Sequence, residues 1–200
     1  MKTQTPTLEF DAEAHKYTLG GTALPSVTQI IQAVLPVWEA SDWYLQRGAA
    51  THHGCRLLDE GRLDWTSVDP EIEPRIRAWQ KFRIHFPADM IACEKALAHP
   101  KYRYAGTLDR ILERKRTMIV ADLKNSISAQ VRLQLAAYSL LWTAESGETV
   151  HQGVAVELLA SGDYRCLWMD KFELRPAEQQ WLALLTTFNF AQEHNLLRDK

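Results

Sequence analysis

Two apolar runs of this chain are broken by charge. Asp109 sits inside YAGTLDRIL, from Tyr104 to Leu112, and Asp122 and Lys124 close TMIVADLK, from Thr117 to Lys124. Residues two apart on a strand point to the same face, so Asp122 and Lys124 project together while Ala121 and Leu123 face the other way. Burying a carboxylate and an ammonium is costly unless they are paired or ligate a metal. If the two runs pair as antiparallel neighbours, Asp109 comes within reach of Asp122. Two carboxylates that close raise each other's proton affinity unless a divalent cation lies between them.

A hard cation such as Mg²⁺ takes oxygen ligands and is usually held by one or two carboxylates plus substrate phosphate and water. Asp109, Asp122 and the backbone carbonyl of Leu123 supply that ligand set. Lys124 beside them would position or help deprotonate an attacking water, or stabilise charge developing at phosphorus. This is the residue inventory of metal-assisted phosphodiester hydrolysis. Further on, Gln134 and Tyr138 stand four apart and share one face of a helix.

The elements that must carry these residues follow from pattern. Met90 to His99, Tyr104 to Arg114 and Thr117 to Lys124 read as three successive strands, the last two joined by a tight turn at Lys115 and Arg116. Ala129 to Glu145 reads as the central helix. Upstream, LEFDAEAHKYTLGGTAL reads as short strands about Gly20-Gly21, and PSVTQIIQAVL as a helix capped by Ser26. Helical pattern returns from Trp38 to Glu60 and again in VDPEIEPRIRAWQKFRIHF, where Pro74 is tolerable near the first turn. Two strands about Ser161-Gly162-Asp163 and a helix from Pro176 to Asn195 close the chain. The expectation is an α/β protein, a mixed β-sheet of about five strands flanked by helices. It is read as one domain over 1–200, with N-terminal strands and helices to 60, a catalytic core at 88–145 and closing elements from 149.

Composition narrows the partners. The 200 residues carry a net charge of -2, so nucleic-acid binding must come from a local patch. The positive clusters are KYR (Lys101 to Arg103) and RILERKR (Arg110 to Arg116), which make Arg103 and Arg110 candidates for tracking a DNA strand. Cys55, Cys93 and Cys166 are widely spaced, without metal-ligand or disulfide-framework spacing. The sequence shows neither a signal-peptide core, nor an apolar run long enough for a bilayer, nor a Walker-type Gly-rich loop. The expected setting is a reducing cytoplasm, with no membrane partner.

Together, GTLD (Gly106 to Asp109), DLK (Asp122 to Lys124) and QLAAY (Gln134 to Tyr138) resemble the active-site motifs of the PD-(D/E)XK nuclease superfamily, in its RecB-like branch. RGAATH (Arg47 to His52) is similar to that branch's R-G-x-x-x-H helix, and FDAEAHKYTLGGTALPSVTQII resembles N-termini of phage-encoded and mitochondrial genome maintenance exonucleases. The resemblance covers Phe10 to Tyr138 and implies a restriction-endonuclease-like fold. It implies an Mg²⁺- or Mn²⁺-dependent DNA exonuclease of phage or prophage recombination or DNA-end processing, in a bacterial or phage-infected cell. It implies His52 as a further metal ligand, with His53 facing elsewhere, and Glu94 as an acidic residue on the preceding strand. Gln134 and Tyr138 would contact the DNA backbone or orient Lys124, and Arg47 could grip a phosphate. A single-strand annealing or recombination protein is the implied partner. KNS (Lys124 to Ser126) departs from the commoner Lys-Thr-Gly or Lys-Thr-Ser, which leaves the ligands intact but alters the substrate contacts. The alternative is a non-catalytic DNA-binding or assembly module on the same fold.

Overall fold

A computed structural model describes residues 7–12, 14–36 and 41–197. The chain opens with a three-stranded antiparallel sheet, β1 (Leu8–Asp11), β2 (Lys16–Leu19) and β3 (Thr22–Leu24). Gly20 and Gly21 turn between β2 and β3 with φ of 56° and 77°, the left-handed region that glycine enters without strain. Helix α1 (Val27–Val34) begins at Ser26, whose side chain accepts from the Gln29 amide while Gln29 reaches back to the Ser26 amide.

Helices α2 (Asp42–Asp59) and α3 (Glu73–His85) follow, separated by one 3-10 turn at Trp65–Ser67. The Trp38 end of the expected helix lies outside the described residues. The large sheet is then laid down as β4 (Asp89–His99), β5 (Tyr104–Arg114) and β6 (Thr117–Lys124), crosses over through α4 (Val131–Ser146), and finishes with β7 (Gln152–Leu158) and β8 (Tyr164–Met169). Its order is β4-β5-β6-β7-β8, antiparallel except for β6 and β7. A parallel pair needs a long crossover, which α4 supplies. The expected mixed sheet of five strands is therefore present.

Alternation along β6 sorts the core. Met118 and Val120 pack with Leu135, Leu141 and Trp181 from α4 and α5 (Lys171–Glu193), whereas Ile119, Ala121 and Leu123 pack with Ile76, Trp79 and Phe82 of α3. Helices thus cover both faces. Helix α5 starts earlier than the sequence suggests, because Asp170 caps it and Glu173 completes a capping box; Pro176 falls inside the helix, not in its first turn.

Two irregularities shape the middle of the sheet. The β5–β6 ladder runs from Arg114↔Thr117 to Arg110↔Ala121 and goes no further, while β6 stays paired with β7 through Lys124↔Glu157. Beyond that point the sheet forks. The freed edge of β5 is taken by the segment before α1, with the Ala105 amide donating to Pro25 O at 3.0 Å. At the fork Leu108 and Ile111 of β5 both pack on the α4 side, although they are three residues apart, so strict alternation breaks at Asp109 and Arg110.

Helix α2 lies tight on α3 at Gly54, where a Cβ would come within 2.3 Å of Ile76 Cδ1. Because Ile76 is fully buried, it has nowhere open to move. Gly54→Ala should lower stability by about 1–3 kcal/mol, as overpacking does; an unchanged Tm in thermal unfolding would show that the helix pair yields without strain.

Candidate active site

The fork is where the charges gather. Asp109 Oδ2 accepts the Leu123 amide at 2.7 Å, replacing the strand partner that β6 loses there. Glu94 lies between Cys93, paired with Arg110, and Lys95, paired with Leu108, which places it opposite Asp109 on the adjacent strand. Like charges directly opposite are unfavourable unless something positive sits between them. His52 of α2 does so: its Nδ1 is 3.4 Å from Asp109 Oδ1 and 3.9 Å from Glu94 Oε1. One ligand atom from each of His52, Glu94 and Asp109 lies within 4.8 Å of the others, a donor set that fits a divalent cation of intermediate or hard character. Glu94 has φ of 46°, a strained setting for a residue with a Cβ, and strain of this kind gathers at functional sites.

Asp122 and Lys124 stand beside this cluster. Lys124 Nζ is 2.6 Å from Asp122 Oδ2, a close ion pair at a buried carboxylate. The expected ordering of ligands is thereby shifted: His52, Glu94 and Asp109 converge, and Asp122 is shared with the lysine. Leu123 enters the protein's own bonding through its amide.

Charge state follows from these contacts. Burial pushes the Asp122 carboxyl up, Asp109 adds to this and Lys124 only partly offsets it, leaving its pKa at about 6. Burial works against the Asp109 carboxylate too, but His52, Lys124 and Arg110 outweigh it and hold its pKa well below the usual range. For His52 burial favours the neutral ring, yet Asp109 overcomes this and raises the pKa. Lys124 likewise is raised, because Asp122 and Asp109 outweigh burial. Glu94 is raised by burial and by Asp109.

These residues border one cleft of about 460 Å³, together with Phe10, Tyr17, Thr107, Gln134 and Tyr138. Gln134 and Tyr138 of α4 thus reach the same space as Lys124, and Gly106 lets Tyr138 in, since a Cβ there would lie 2.9 Å from Tyr138 Cε1. His53 does not face elsewhere, as expected, but borders the cleft from the same helix, as does Arg56 one turn beyond His52. Arg56 escaped the sequence reading because it lies outside the R-G-x-x-x-H spacing.

The other arginines differ from expectation. Arg110 is 0% exposed and cannot track DNA. Strand β5 points it into the protein, where Nε donates to Asp59 Oδ2 and Nη1 to Glu94 Oε1, both at 2.7 Å, and Nη1 also to the Asp109 carbonyl. Asp59, at the end of α2, accepts from Trp79 Nε1 at 3.0 Å as well. Arg110 therefore ties the helix carrying His52 to the strands carrying Glu94 and Asp109. Arg47 has a side chain only 12% exposed, with its guanidinium over Trp43 and Tyr44 and 3.9 Å from Glu71, and it does not border the cleft. Arg103 is exposed in the turn between β4 and β5, also away from the cleft.

No protein-family model matches the chain, and no curated protein does. Among solved structures the chain is similar to LHK-Exo in complex with dAMP, at 11% identity over 86% of this chain and 90% of that one, with a TM-score of 0.39. It is similar also to an alkaline exonuclease (LHK-Exo) from Laribacter hongkongensis, at 11% identity, 86% and 92% coverage and a TM-score of 0.34. A third, SSO0001, is 14% identical over 79% of this chain and 83% of its own, with a TM-score of 0.27.

Two outcomes follow. A cation entering the cluster must displace protons held by His52 and Asp122, so Mn²⁺ affinity should rise with pH through about 6 and binding should release protons. Calorimetry at pH 6 in two buffers of different ionisation enthalpy measures this, and identical heats would contradict it. Arg110→Met, similar in volume, strands Asp59 and part of Glu94 and should cost about 3–5 kcal/mol in denaturant unfolding.

Proposed function

We propose that the protein is a divalent-cation-dependent deoxyribonuclease of the PD-(D/E)XK kind, acting on DNA ends as an exonuclease. The observation that carries this reading is the convergence of His52, Glu94 and Asp109 beside the Asp122–Lys124 pair, at the fork of the sheet and inside one cleft. Four separate elements deliver these side chains, and a merely structural ion pair would not need a third carboxylate and a histidine.

A cation held by His52, Glu94 and Asp109, with Asp122 and the Leu123 carbonyl completing the set, would supply charge neutralisation at a phosphate and Lewis acidity toward bound water. The chain's own residues do the rest. Lys124 stays protonated, because Asp122 outweighs burial, so it acts as a donor that orients the attacking water or holds a phosphoryl oxygen and not as the resting base. Tyr138, its pKa raised well above the usual value by burial and then by Asp122, likewise remains a neutral hydroxyl facing the cleft. Gln134 offers an amide on the same wall, suited to a phosphodiester oxygen.

Arg56 and Lys124 border the cleft as cations beside the carboxylates of Glu94, Asp109 and Asp122, and can meet a phosphate once a bound cation offsets those carboxylates. Work in phage or prophage recombination or DNA-end processing, beside a single-strand annealing or recombination protein, is the setting that the motif resemblance suggests. Among the described residues no helix is long and apolar enough to cross a membrane.

Wild type, Lys124→Ala and Asp109→Asn should be compared on DNA labelled separately at each end, with Mn²⁺ and with chelator. Cleavage by wild type alone, lost at least a hundredfold in both variants and absent in chelator, is expected. DNA retention without hydrolysis in any divalent metal would support instead a binding or assembly module that keeps the fold.

A further inference from the structure

Two arginines are set against each other outside the cleft. Arg47 of α2 and Arg75, in the first turn of α3, are both deeply buried, the first with 12% of its side chain exposed and the second at 9%. Among the described residues neither buried Nε has a hydrogen-bond partner. The carboxylate in ion-pair contact with Arg47 is that of Glu71, half exposed and 3.9 Å from Nη1, whereas Arg75 reaches only the Glu71 backbone carbonyl, 3.4 Å from its own Nη1. Burial and then the nearby Arg47 push the Arg75 pKa down, and Glu71 offsets them only in part.

Two buried guanidinium groups that share one half-exposed carboxylate are a costly way to pack two helices, since an apolar side chain would fill the same space without the charge. Their surroundings present them as a grip. The Arg47 guanidinium lies over Trp43 and Tyr44, 4.3 and 4.7 Å from the ring centroids, and a stacked guanidinium keeps its N–H groups in plane and free to fork onto an anion. Gly48, the next residue, borders the cleft, and a Cβ on it would come within 3.4 Å of Asn125 Nδ2. Asn125 in turn follows Lys124. Donors therefore succeed one another from Lys124 in the cleft to the Asn125 amide at its edge and on to the arginine pair.

From this we propose that Arg47 and Arg75 form a seat for a second phosphate of the DNA strand, beside the one presented for cleavage. The proposal rests on the nuclease reading and deepens it by adding a second point of hold. Arg47 precedes His52 by five residues, about 7.5 Å along the helix axis. Because it does not border the cleft, the phosphate it meets is not the one at the carboxylates. A phosphate brings several acceptor oxygens to two forked donors and supplies the negative charge that Glu71 leaves short. Holding the strand at two points fixes the bond to be cut against the carboxylate cluster. Such a seat reads charge and not bases, so it serves any sequence.

Binding in chelator tests this without cleavage. The affinity for a fluorescein-labelled oligonucleotide is to be measured by anisotropy between about 50 and 200 mM salt. Arg75→Met should bind roughly tenfold more weakly than wild type at the lower salt, with the slope of log K against log salt reduced by about 0.7–0.9, as loss of one phosphate contact implies. Its Tm without DNA should stand level with wild type or above it, because a buried charge has gone. Arg47→Met should lose affinity and slope likewise, and keeps the test open if Arg75→Met folds poorly. Slopes equal to wild type in both variants would overturn the seat, and cleavage with Mn²⁺ by wild type but not by Lys124→Ala would then leave the nuclease standing. Reduced slopes in a protein that hydrolyses nothing would sustain the seat and remove the nuclease. Inorganic phosphate is the other source of the same chemistry. A wild-type Tm higher in phosphate than in chloride of equal ionic strength, with that gain lost in Arg75→Met and the DNA slopes unchanged, would assign the seat to the free anion and overturn the strand.

Discussion

The hydrogen bond from the Leu123 amide to Asp109 Oδ2 holds together the point at which the sheet divides. Strands β5 and β6 separate there, and a separated strand leaves backbone donors without partners. A carboxylate is the only side chain that can satisfy such a donor with one oxygen and still present a second, fully charged oxygen to a neighbour. Asp109 uses Oδ2 for the strand and leaves Oδ1 toward His52. Structural closure and chemical readiness therefore reside in one residue, and the low proton affinity of that carboxylate is the electrostatic expression of both duties.

Around this point the protein is arranged to tolerate concentrated charge. Asp59, Arg110 and Glu94 form a chain of ion pairs running from the end of α2 to β4 behind the cluster, with Asp59 accepting from Trp79 and the Arg110 guanidinium over its ring. Buried ion pairs seldom add much net stability. Their effect here is geometric: the guanidinium sets how far apart the helix and the two strands can lie, and so sets the span of the ligand atoms that face the cleft. Removing the Arg110 charge would strip Glu94 Oε1 of its donor and let the distances at the front shift with it.

Much of this was legible in the sequence, and unevenly. The strands carrying Asp109, Asp122 and Lys124 were legible because apolar runs interrupted by charge are rare, and their ends at Arg114, Thr117 and Lys124 coincide with those in the structure. Ser26 was legible because a cap is a local bond. Arg110 was misread for a physical reason: a basic residue within a run of basic residues looks solvated, and nothing local reveals that Asp59, 51 residues earlier, waits opposite it. His53 and Arg56 were missed because helical spacing alone does not say how wide a cleft the helix borders. The start of α5 was misplaced because a proline suggested a first turn, whereas the stronger signal was Asp170 followed three residues later by Glu173.

The parallel pairing of β6 with β7 has a consequence for how the chain comes to be folded. Strand β6 is buried along most of its length, and its second edge is closed only when Gln152 to Leu158 have crossed over through α4. Until then that edge is an open template for intermolecular pairing. Contacts so distant in sequence form slowly. Aggregation during synthesis is thus a hazard concentrated on the strand that carries Asp122 and Lys124, and the speed with which α4 docks governs how long it lasts.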